Sequence, residues 1–500
     1  MTTITAPSVP DYPQTLGHPR PLWMLFMTEF WERFAFYSVS WALALYIVAH
    51  FYHGDPAGQV WASKIYGAYT ALIYAASIFG GYVADRVIGC QRSILLGALV
   101  MAAGLFVVML PGKEVFLFGL SMVIVGNGLF KPNISTMVGQ LYGPTDDRRD
   151  RGFTLFYMGI NIGSLVAPLL TGWLASRFTD TPMQDNYKLV FGAAGVGMLL
   201  SLFWFWFGRR GLRGVGRPAP EAAGRIRVVW VLLSIAVMVP LVCLMLSFVE
   251  ASGLQWLLGL LYIGVAALLI IEARRHDRVQ LHRVFAMLII FAFSVLFYMF
   301  YYQLGTSFNF LAQNMIDRQM FGGWTFPVGW FQSVNPLAVI VLAPILSYIW
   351  TLLARHHREP SIPRKFGLSL VFNSLGFTAL IYALSRMIDR HELLIPFWPL
   401  TVCYIMQSIG ELCLSPIGLS MVTKLAPPRL VGVAMGGWFL SLAAGGDLSG
   451  LLAGHISGET GMTAASALSG FTFSFWLLAG AGVFLLLISQ LINRLMHGVR

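Results

Sequence analysis

The sequence predicts an all-α polytopic membrane protein with fourteen transmembrane helices. Of its 500 residues, 57% are hydrophobic and only 11% are charged, and the mean hydropathy is +0.71. A soluble protein could not bury so many apolar side chains away from water, whereas membrane-spanning helices expose them to lipid. Fourteen apolar runs are long enough to span a bilayer. They lie near residues 21–50, 63–87, 93–111, 115–141, 152–175, 188–207, 228–249, 254–272, 284–311, 331–353, 366–386, 395–424, 433–454 and 471–493.

The distribution of Lys and Arg gives the orientation of these runs. With the amino terminus inside, 24 of the 33 Lys and Arg residues fall in cytoplasmic tails and loops and seven in outer loops. The remaining two, Arg33 and Lys131, lie within apolar runs. The net charge of +11 would suggest nucleic acid as the partner of a soluble protein, but the positive-inside rule explains it better here. We therefore expect both termini in the cytoplasm and no nucleic-acid partner.

The loops divide the chain into two halves around an insertion. Residues 208–227 are rich in Arg, Gly, Pro and Ala, which is a linker composition. The two runs that follow have few interior polar groups, and removing them leaves six runs on each side. We expect a cytoplasmic tail at 1–20, six-helix bundles at 21–210 and 284–500, and a linker with an inserted helix pair at 211–283. Two six-helix halves are typical of secondary transporters, whose site lies at the midplane between them.

A charged stretch near the middle of the first run is the strongest functional signal. Glu32 and Arg33 stand three and four residues after Glu29, and Tyr37 lies four residues after Arg33. This spacing places them on one helix face, with Arg33 about 15 Å deep. Ionisable groups at that depth are costly and mark ion or substrate paths. The alternative is an ion-pair network that only holds helices together.

Three more polar residues lie deep in other runs. Lys131 stands in the fourth run, about ten residues from its end, a depth that favours a functional role over the alternative of a lysine that reaches the interface. Asn161 and Asn335 carry amides that can match a peptide bond, although a hydrogen bond between helices explains Asn161 equally well.

The second half adds two carboxylates and a tryptophan. Glu411 is a lone acid at mid-depth, Asp447 lies within the 433–454 run, and Trp438 lies near that run's cytoplasmic end. A purely structural role is the alternative for Glu411. An interfacial anchor is the common role of a membrane tryptophan and remains an alternative for Trp438.

The buried charges do not balance. The carboxylates Glu29, Glu32, Glu411 and Asp447 outnumber the cations Arg33 and Lys131 by two. A site of low dielectric relieves such an excess by taking up protons or a cationic group. Because the cations belong to the first half and Glu411 to the second, a zwitterion such as a short peptide would bridge the halves.

Two motifs carry a specific family resemblance. Residues 29–37, Glu-x-x-Glu-Arg-Phe-x-Phe-Tyr, resemble the ExxERFxYY motif of the proton-dependent oligopeptide transporters, a branch of the major facilitator superfamily. Residues 156–165 match that family's FYxxINxGSL signature throughout. Residues 81–92, 410–416 and 437–440 are similar to further motifs of the superfamily or the family. The similarity runs from about Pro21 to the last run, and the inserted pair is typical of bacterial members.

The resemblance implies a major facilitator fold, a bacterial inner membrane location, and symport of di- and tripeptides with protons by alternating access. It places the peptide carboxylate on Arg33, Tyr37 and Lys131, and the peptide amino group on Glu411. It also assigns Asn161 and Asn335 to the peptide backbone, Trp438 to a side-chain pocket and Tyr74 to the site. Glu29 and Glu32 would couple protons.

Four positions depart from the family pattern. Phe36 replaces the first tyrosine of the motif, so a hydroxyl near Arg33 is lost. Tyr302 stands before Gln303, where many members have a glutamate. The 63–87 run lacks the histidine of animal members, so coupling depends more on Glu29 and Glu32. Asp447 replaces an expected asparagine or small residue, and we predict it as a further protonation site.

Other functions fit the sequence less well. A proton-coupled transporter of another small amphipathic solute or drug would share the fold without needing Lys131 and Glu411. A channel is possible, but the excess of carboxylates suits alternating access better. The sequence has no HExxH, GxSxG or GxxxxGK[ST] motif of enzymes and ATP-driven pumps. We expect a monomer that binds peptide, protons and the bilayer, without cofactor or metal.

Overall fold

The computed structural model describes residues 10–143, 146, 148–179, 185–218, 225–249 and 253–499, and it is nearly all helical. Within these ranges, 14 helical segments are long and apolar enough to cross a membrane, which confirms the predicted fold class. The helices are α1 (Arg20–Phe51), α2 (Gly58–Val83), α3 (Cys90–Val107), α4 (Lys113–Gln140), α5 (Arg149–Arg177), α6 (Tyr187–Gly208), α7 (Arg225–Ser247), α8 (Gly253–Arg274), α9 (Arg278–Tyr301), α10 (Ser307–Asn314), α11 (Val334–Arg355), α12 (Ile362–Arg390), α13 (Trp398–Leu425), α14 (Val431–Ser457) and α15 (Ala464–Leu495).

One span is broken, although the apolar run at 284–311 predicted a continuous helix. A 3₁₀ turn, Tyr302–Gly305, separates α9 from α10. The side chain of Gln303 is fully buried there and donates to the backbone oxygen of Ser449, 3.1 Å away. A Cβ atom at Gly305 would overlap the ring of Tyr66, so only glycine fits this close approach. Local packing of this kind leaves no trace in hydrophobic periodicity.

The backbone divides into two compact units. The first comprises Met1–Ser40 with Ala75–Ser247, and the second comprises Trp41–Tyr74 with Phe248–Arg500. The two inserted helices are therefore assigned to different units, α7 to the first and α8 to the second. The domain boundaries expected from the sequence stay a prediction.

Small residues set the helix packing of the first unit. Helix α3 packs along α4, and α7 packs against the same helix. At Gly80, a Cβ atom would overlap the carbonyl of Gly128, so α2 and α4 approach closely where α4 carries its polar residues. Pro132 lies inside α4, one residue after Lys131.

The second unit is built around α12 and α14. Helix α12 packs along α13 and α15, and α14 packs against both α9 and α8. Buried aromatic side chains fill this core, among them Phe291, Phe297, Phe300 and Tyr404. Helix α15 begins with a capping box, in which the hydroxyl of Thr463 accepts from the backbone nitrogen of Ser466.

The polar segment before α1 is folded in its described part. Two short antiparallel strands, β1 (Gln14–Thr15) and β2 (His18–Pro19), form a hairpin. His18 Nδ1 lies 2.8 Å from the hydroxyl of Tyr142. Hydrogen bonds from Arg148 lower the pKa of neighbouring Asp146 to about 2. These contacts fix the entry to α1.

Candidate functional site

Helix α1 carries a closed cluster of two acids and one arginine. The Arg33 guanidinium donates to both oxygens of Glu32, at 2.5 Å from Nε and 2.7 Å from the second nitrogen. Its Nε also lies 3.2 Å from Glu29 Oε1. All three side chains are almost fully buried. The contact between Glu29 and Arg33 follows the four-residue spacing of the sequence. The closest pair, Glu32 and Arg33, are sequence neighbours, so helical spacing alone did not predict that contact.

Asn127 of α4 completes the cluster, and the sequence analysis gave it no role. Its amide nitrogen donates to Glu32 Oε1 at 2.9 Å. Asn127 precedes Lys131 by four residues, so the two share a face of α4; that spacing was the available signal. Glu32 thus accepts three hydrogen bonds. By contrast, Glu29 Oε2 is buried and has no hydrogen-bond partner within the described ranges.

The phenylalanine that replaces a family tyrosine lies beneath both cations. The centroid of the Phe36 ring is 4.8 Å from Arg33 Cζ and 5.8 Å from Lys131 Nζ. At these distances the ring face attracts cations. Tyr37 packs edge-on against the same ring, with centroids 5.3 Å apart. Lys131 is half-buried and lies nine residues before the end of α4. Its depth in the membrane stays a prediction.

Asn161 of α5 makes its hydrogen bond within its own helix. The amide nitrogen donates to the backbone oxygen of Tyr157 at 2.9 Å. Within the part of the chain that the structure describes, Asn161 forms no hydrogen bond to another helix, so the simpler structural alternative is not seen. Its role towards a peptide backbone stays a prediction.

Glu411 of α13 is surrounded by neutral donors. Its Oε2 accepts from the Tyr301 hydroxyl at 2.8 Å and from the Asn335 amide at 3.1 Å. The same amide also donates to Ser408 Oγ at 2.9 Å. No Lys, Arg or His among the described residues lies within 4 Å of this carboxylate. The sequence analysis gave Tyr301 no role, so its part in this site was missed.

Tyr302, which stands where many family members have glutamate, contacts Tyr74. The two hydroxyl oxygens are 3.0 Å apart. Tyr74 also stacks on Phe439, at 6.4 Å and 13° between planes, and Tyr302 stacks on Tyr298 at 5.5 Å. Where the family resemblance led us to expect a glutamate, the chain thus has Tyr302, whose hydroxyl is hydrogen-bonded to that of Tyr74.

Trp438 is a core residue in this structure. It is 2% exposed and contacts Phe291 and Phe366. A Cβ atom at Gly418 would overlap its ring. It is therefore not an interfacial anchor, and its predicted place in a side-chain pocket is untested.

Asp447 of α14 faces the inserted helix α8. It is 4% exposed, and its Oδ1 accepts from the amide of Gln255 at 3.2 Å. Its predicted role in proton coupling is also untested.

Comparison with known proteins identifies the family. The model of the POT family matches residues 91–468. The chain belongs to the POT family. It is 36% identical to the peptide transporter YePEPT of Yersinia enterocolitica subsp. palearctica, with 91% of each chain covered. It is also 36% identical to dipeptide and tripeptide permease B of Yersinia enterocolitica, over 90% of this chain and 88% of that protein.

A solved structure agrees with this assignment. The fold superposes on a crystal structure of a mutant of the peptide transporter POT in complex with sulfate, with a TM-score of 0.83, 33% identity and 98% of each chain covered. The resemblance stated from the motifs is thereby confirmed. The chain is an integral membrane transporter of the major facilitator type and not an enzyme.

Proposed function

We propose that this chain is a proton-coupled symporter that imports di- and tripeptides by alternating access. Membership of the POT family and its peptide-transporting relatives support the substrate class. The observation that carries the site assignment is Glu411, a half-buried carboxylate held by neutral donors with no neighbouring cation in the described structure. A peptide ammonium supplies the missing charge.

The first unit supplies groups of the opposite sign. Arg33 and Lys131 both lie over Phe36, and we assign them, with Tyr37, to the peptide carboxylate. A guanidinium can hold a carboxylate through two parallel hydrogen bonds. In the structure, Arg33 donates two such parallel hydrogen bonds to Glu32. Binding of peptide therefore requires that the combined attraction of Glu29 and Glu32 for the Arg33 guanidinium weaken.

Proton uptake is the event that weakens it, and we assign the proton to Glu29. Glu32 accepts three hydrogen bonds from Arg33 and Asn127, whereas one oxygen of Glu29 is buried without a hydrogen-bond partner among the described residues. A proton placed on Glu29 removes one of two charges that hold Arg33, and Glu32 keeps the guanidinium oriented. One proton that crosses 100 mV contributes about 2.3 kcal/mol to uptake.

The test compares the two acids in proteoliposomes. Dialanine accumulation is measured under an imposed proton gradient, and dialanine counterflow is measured without one. We expect Glu29→Gln to abolish accumulation while counterflow continues, because the neutral side chain imitates the protonated state. Glu32→Gln should lose both, because Arg33 loses its orienting partner.

A matched control removes an acid elsewhere. Glu114 is exposed at the first turn of α4, so Glu114→Gln should transport as wild type. Accumulation by Glu29→Gln at the wild-type level would overturn the assignment of the proton. Failure of the wild type to transport any dipeptide would overturn the proposed function itself.

We further propose a bacterial inner membrane location with both termini cytoplasmic, and transport by a single chain. The excess of Lys and Arg in alternate loops supports the orientation. All proposed site residues belong to one chain, which supports the monomer. Labelling of single cysteines at each terminus in intact cells checks the orientation, and mass measurement in nanodiscs checks the monomer.

A further inference from the structure

A cavity lies within the second unit, away from Glu411. It has a volume of about 430 Å³ and is formed by α8, α9 and α14. Its walls are mainly apolar, with Leu258, Val295 and Leu448 among them. Ile263 and Gly259 at its edge are exposed, so the cavity opens on the outer side of an inserted helix. The volume is within the range of sites for small organic ligands.

One carboxylate lines this cavity. Asp447 stands ten residues before the end of α14, deep in a spanning helix, and is 4% exposed. Its single hydrogen bond among the described residues is the one that Oδ1 accepts from Gln255. The other oxygen receives no donor there. A carboxylate in such a place marks a functional site by default.

Two neighbouring polar groups also lack partners. Gln255 Oε1 is buried and accepts no hydrogen bond within the described ranges. The hydroxyl of Tyr262, which lies beside Ser441, makes no hydrogen bond of ordinary length there. Both residues line the cavity. Buried polar atoms are normally satisfied, so two buried oxygens that lack a partner among the described residues, beside the carboxylate of Asp447, indicate a missing donor.

We propose that this cavity binds an amphiphilic amine, with its ammonium group on Asp447 and its apolar body against α8 and α9. An ammonium group carries three N–H donors and a positive charge. It would satisfy Asp447, Gln255 Oε1 and the Tyr262 hydroxyl together. An alcohol has one donor and no charge, and an anion would be repelled by the carboxylate. The amine comes either from free lipophilic amines in the bilayer or from an aminated lipid headgroup.

Binding of n-octylamine to the full chain in nanodiscs provides the test. Saturating dialanine is present throughout, so that the peptide site is occupied. Ligand-detected NMR titrations compare octylamine with octanol for wild type, Asp447→Asn and Glu459→Gln. Glu459 is exposed two residues beyond α14 and serves as the matched carboxylate control. We expect wild type and Glu459→Gln to prefer the amine, and Asp447→Asn to lose about tenfold in amine affinity with octanol binding unchanged.

The lipid composition of the nanodiscs distinguishes the two sources. Weaker octylamine binding in phosphatidylethanolamine than in phosphatidylcholine identifies the lipid headgroup as the occupant, and equal binding identifies a free amine. Equal affinity for amine and alcohol in the wild type would overturn the proposal, as would amine affinity in Asp447→Asn equal to that of the wild type. Peptide transport does not enter these readouts, so the proposed function stands or falls separately.

Discussion

The acids of the two units differ in the partners that compensate their charge. In the first, Glu29 and Glu32 share Arg33, and Asn127 adds a further donor to Glu32. In the second, the donors to Glu411 among the described residues are the neutral groups of Tyr301 and Asn335. A paired acid is compensated within the protein, whereas an acid with neutral donors remains an attractive partner for a cation. In the proposed transport cycle, the first unit must open an internal ion pair before it binds the substrate carboxylate. The second unit offers its own carboxylate to the substrate ammonium group.

The largest expected effect comes from removing the shared cation. Arg33→Met leaves Glu29 and Glu32 with Lys131 as the remaining neighbouring cation, and breaking a buried pair from one side costs about 3–5 kcal/mol. We expect a clear loss of Tm in detergent and no dipeptide transport. Glu411→Gln should leave Tm unchanged or higher, since it removes an acid that forms no ion pair within the described part of the chain.

A rescue sharpens this test. Glu32→Gln combined with Arg33→Met removes one charge of each sign, so the double variant should recover part of the Tm lost in Arg33→Met. A fall in Tm for Glu411→Gln as large as that for Arg33→Met would erase the difference between the units.

The next effect concerns the neutral donors of Glu411. Tyr301→Phe removes a hydrogen bond to a charged group, worth about 1.5–3 kcal/mol, so we expect KM for dialanine to rise about tenfold. Tyr302→Phe is the matched variant, because its hydroxyl contacts Tyr74 rather than an acid, and its KM should change about threefold or less. Equal changes in the two variants would show that Glu411 does not depend on Tyr301.

The smallest effect concerns the ring beneath the cations. Phe36→Leu removes the aromatic face near Arg33 and Lys131, and a partly exposed cation–π contact is worth about 0.5–1 kcal/mol. We expect dialanine affinity to fall about threefold by equilibrium binding. Phe36→Tyr keeps the ring and should bind as wild type. An equal loss in both variants would exclude the cation–π contact as the cause.

Local relations in the sequence predicted the first cluster well. Glu29 and Arg33 lie four residues apart on one helix, so their spacing predicted this contact, whereas Glu32 is the sequence neighbour of Arg33. The apolar runs likewise gave the fourteen spans, because a bilayer imposes length and hydrophobicity on every one of them.

Contacts between distant parts of the chain were not predictable in this way. Asn127 reaches Glu32 across 95 residues, and Gln255 reaches Asp447 across 192. No periodicity states which helices are neighbours or which faces meet. The break after α9 was missed for the same reason, since it depends on the fit of Gly305 against Tyr66. The family resemblance supplied roles for single residues but not these partners.

We propose above that Glu411 binds the ammonium group of the substrate, and a single substitution tests this directly. Glu411→Gln keeps the size of the side chain and removes its charge. Competition for dialanine uptake is measured with a free-amine dipeptide and with its N-acetylated form. We expect Glu411→Gln to lower the affinity for the free-amine peptide about 30-fold or more. The affinity for the N-acetylated peptide should change about threefold or less. Equal losses for the two peptides would contradict this proposal.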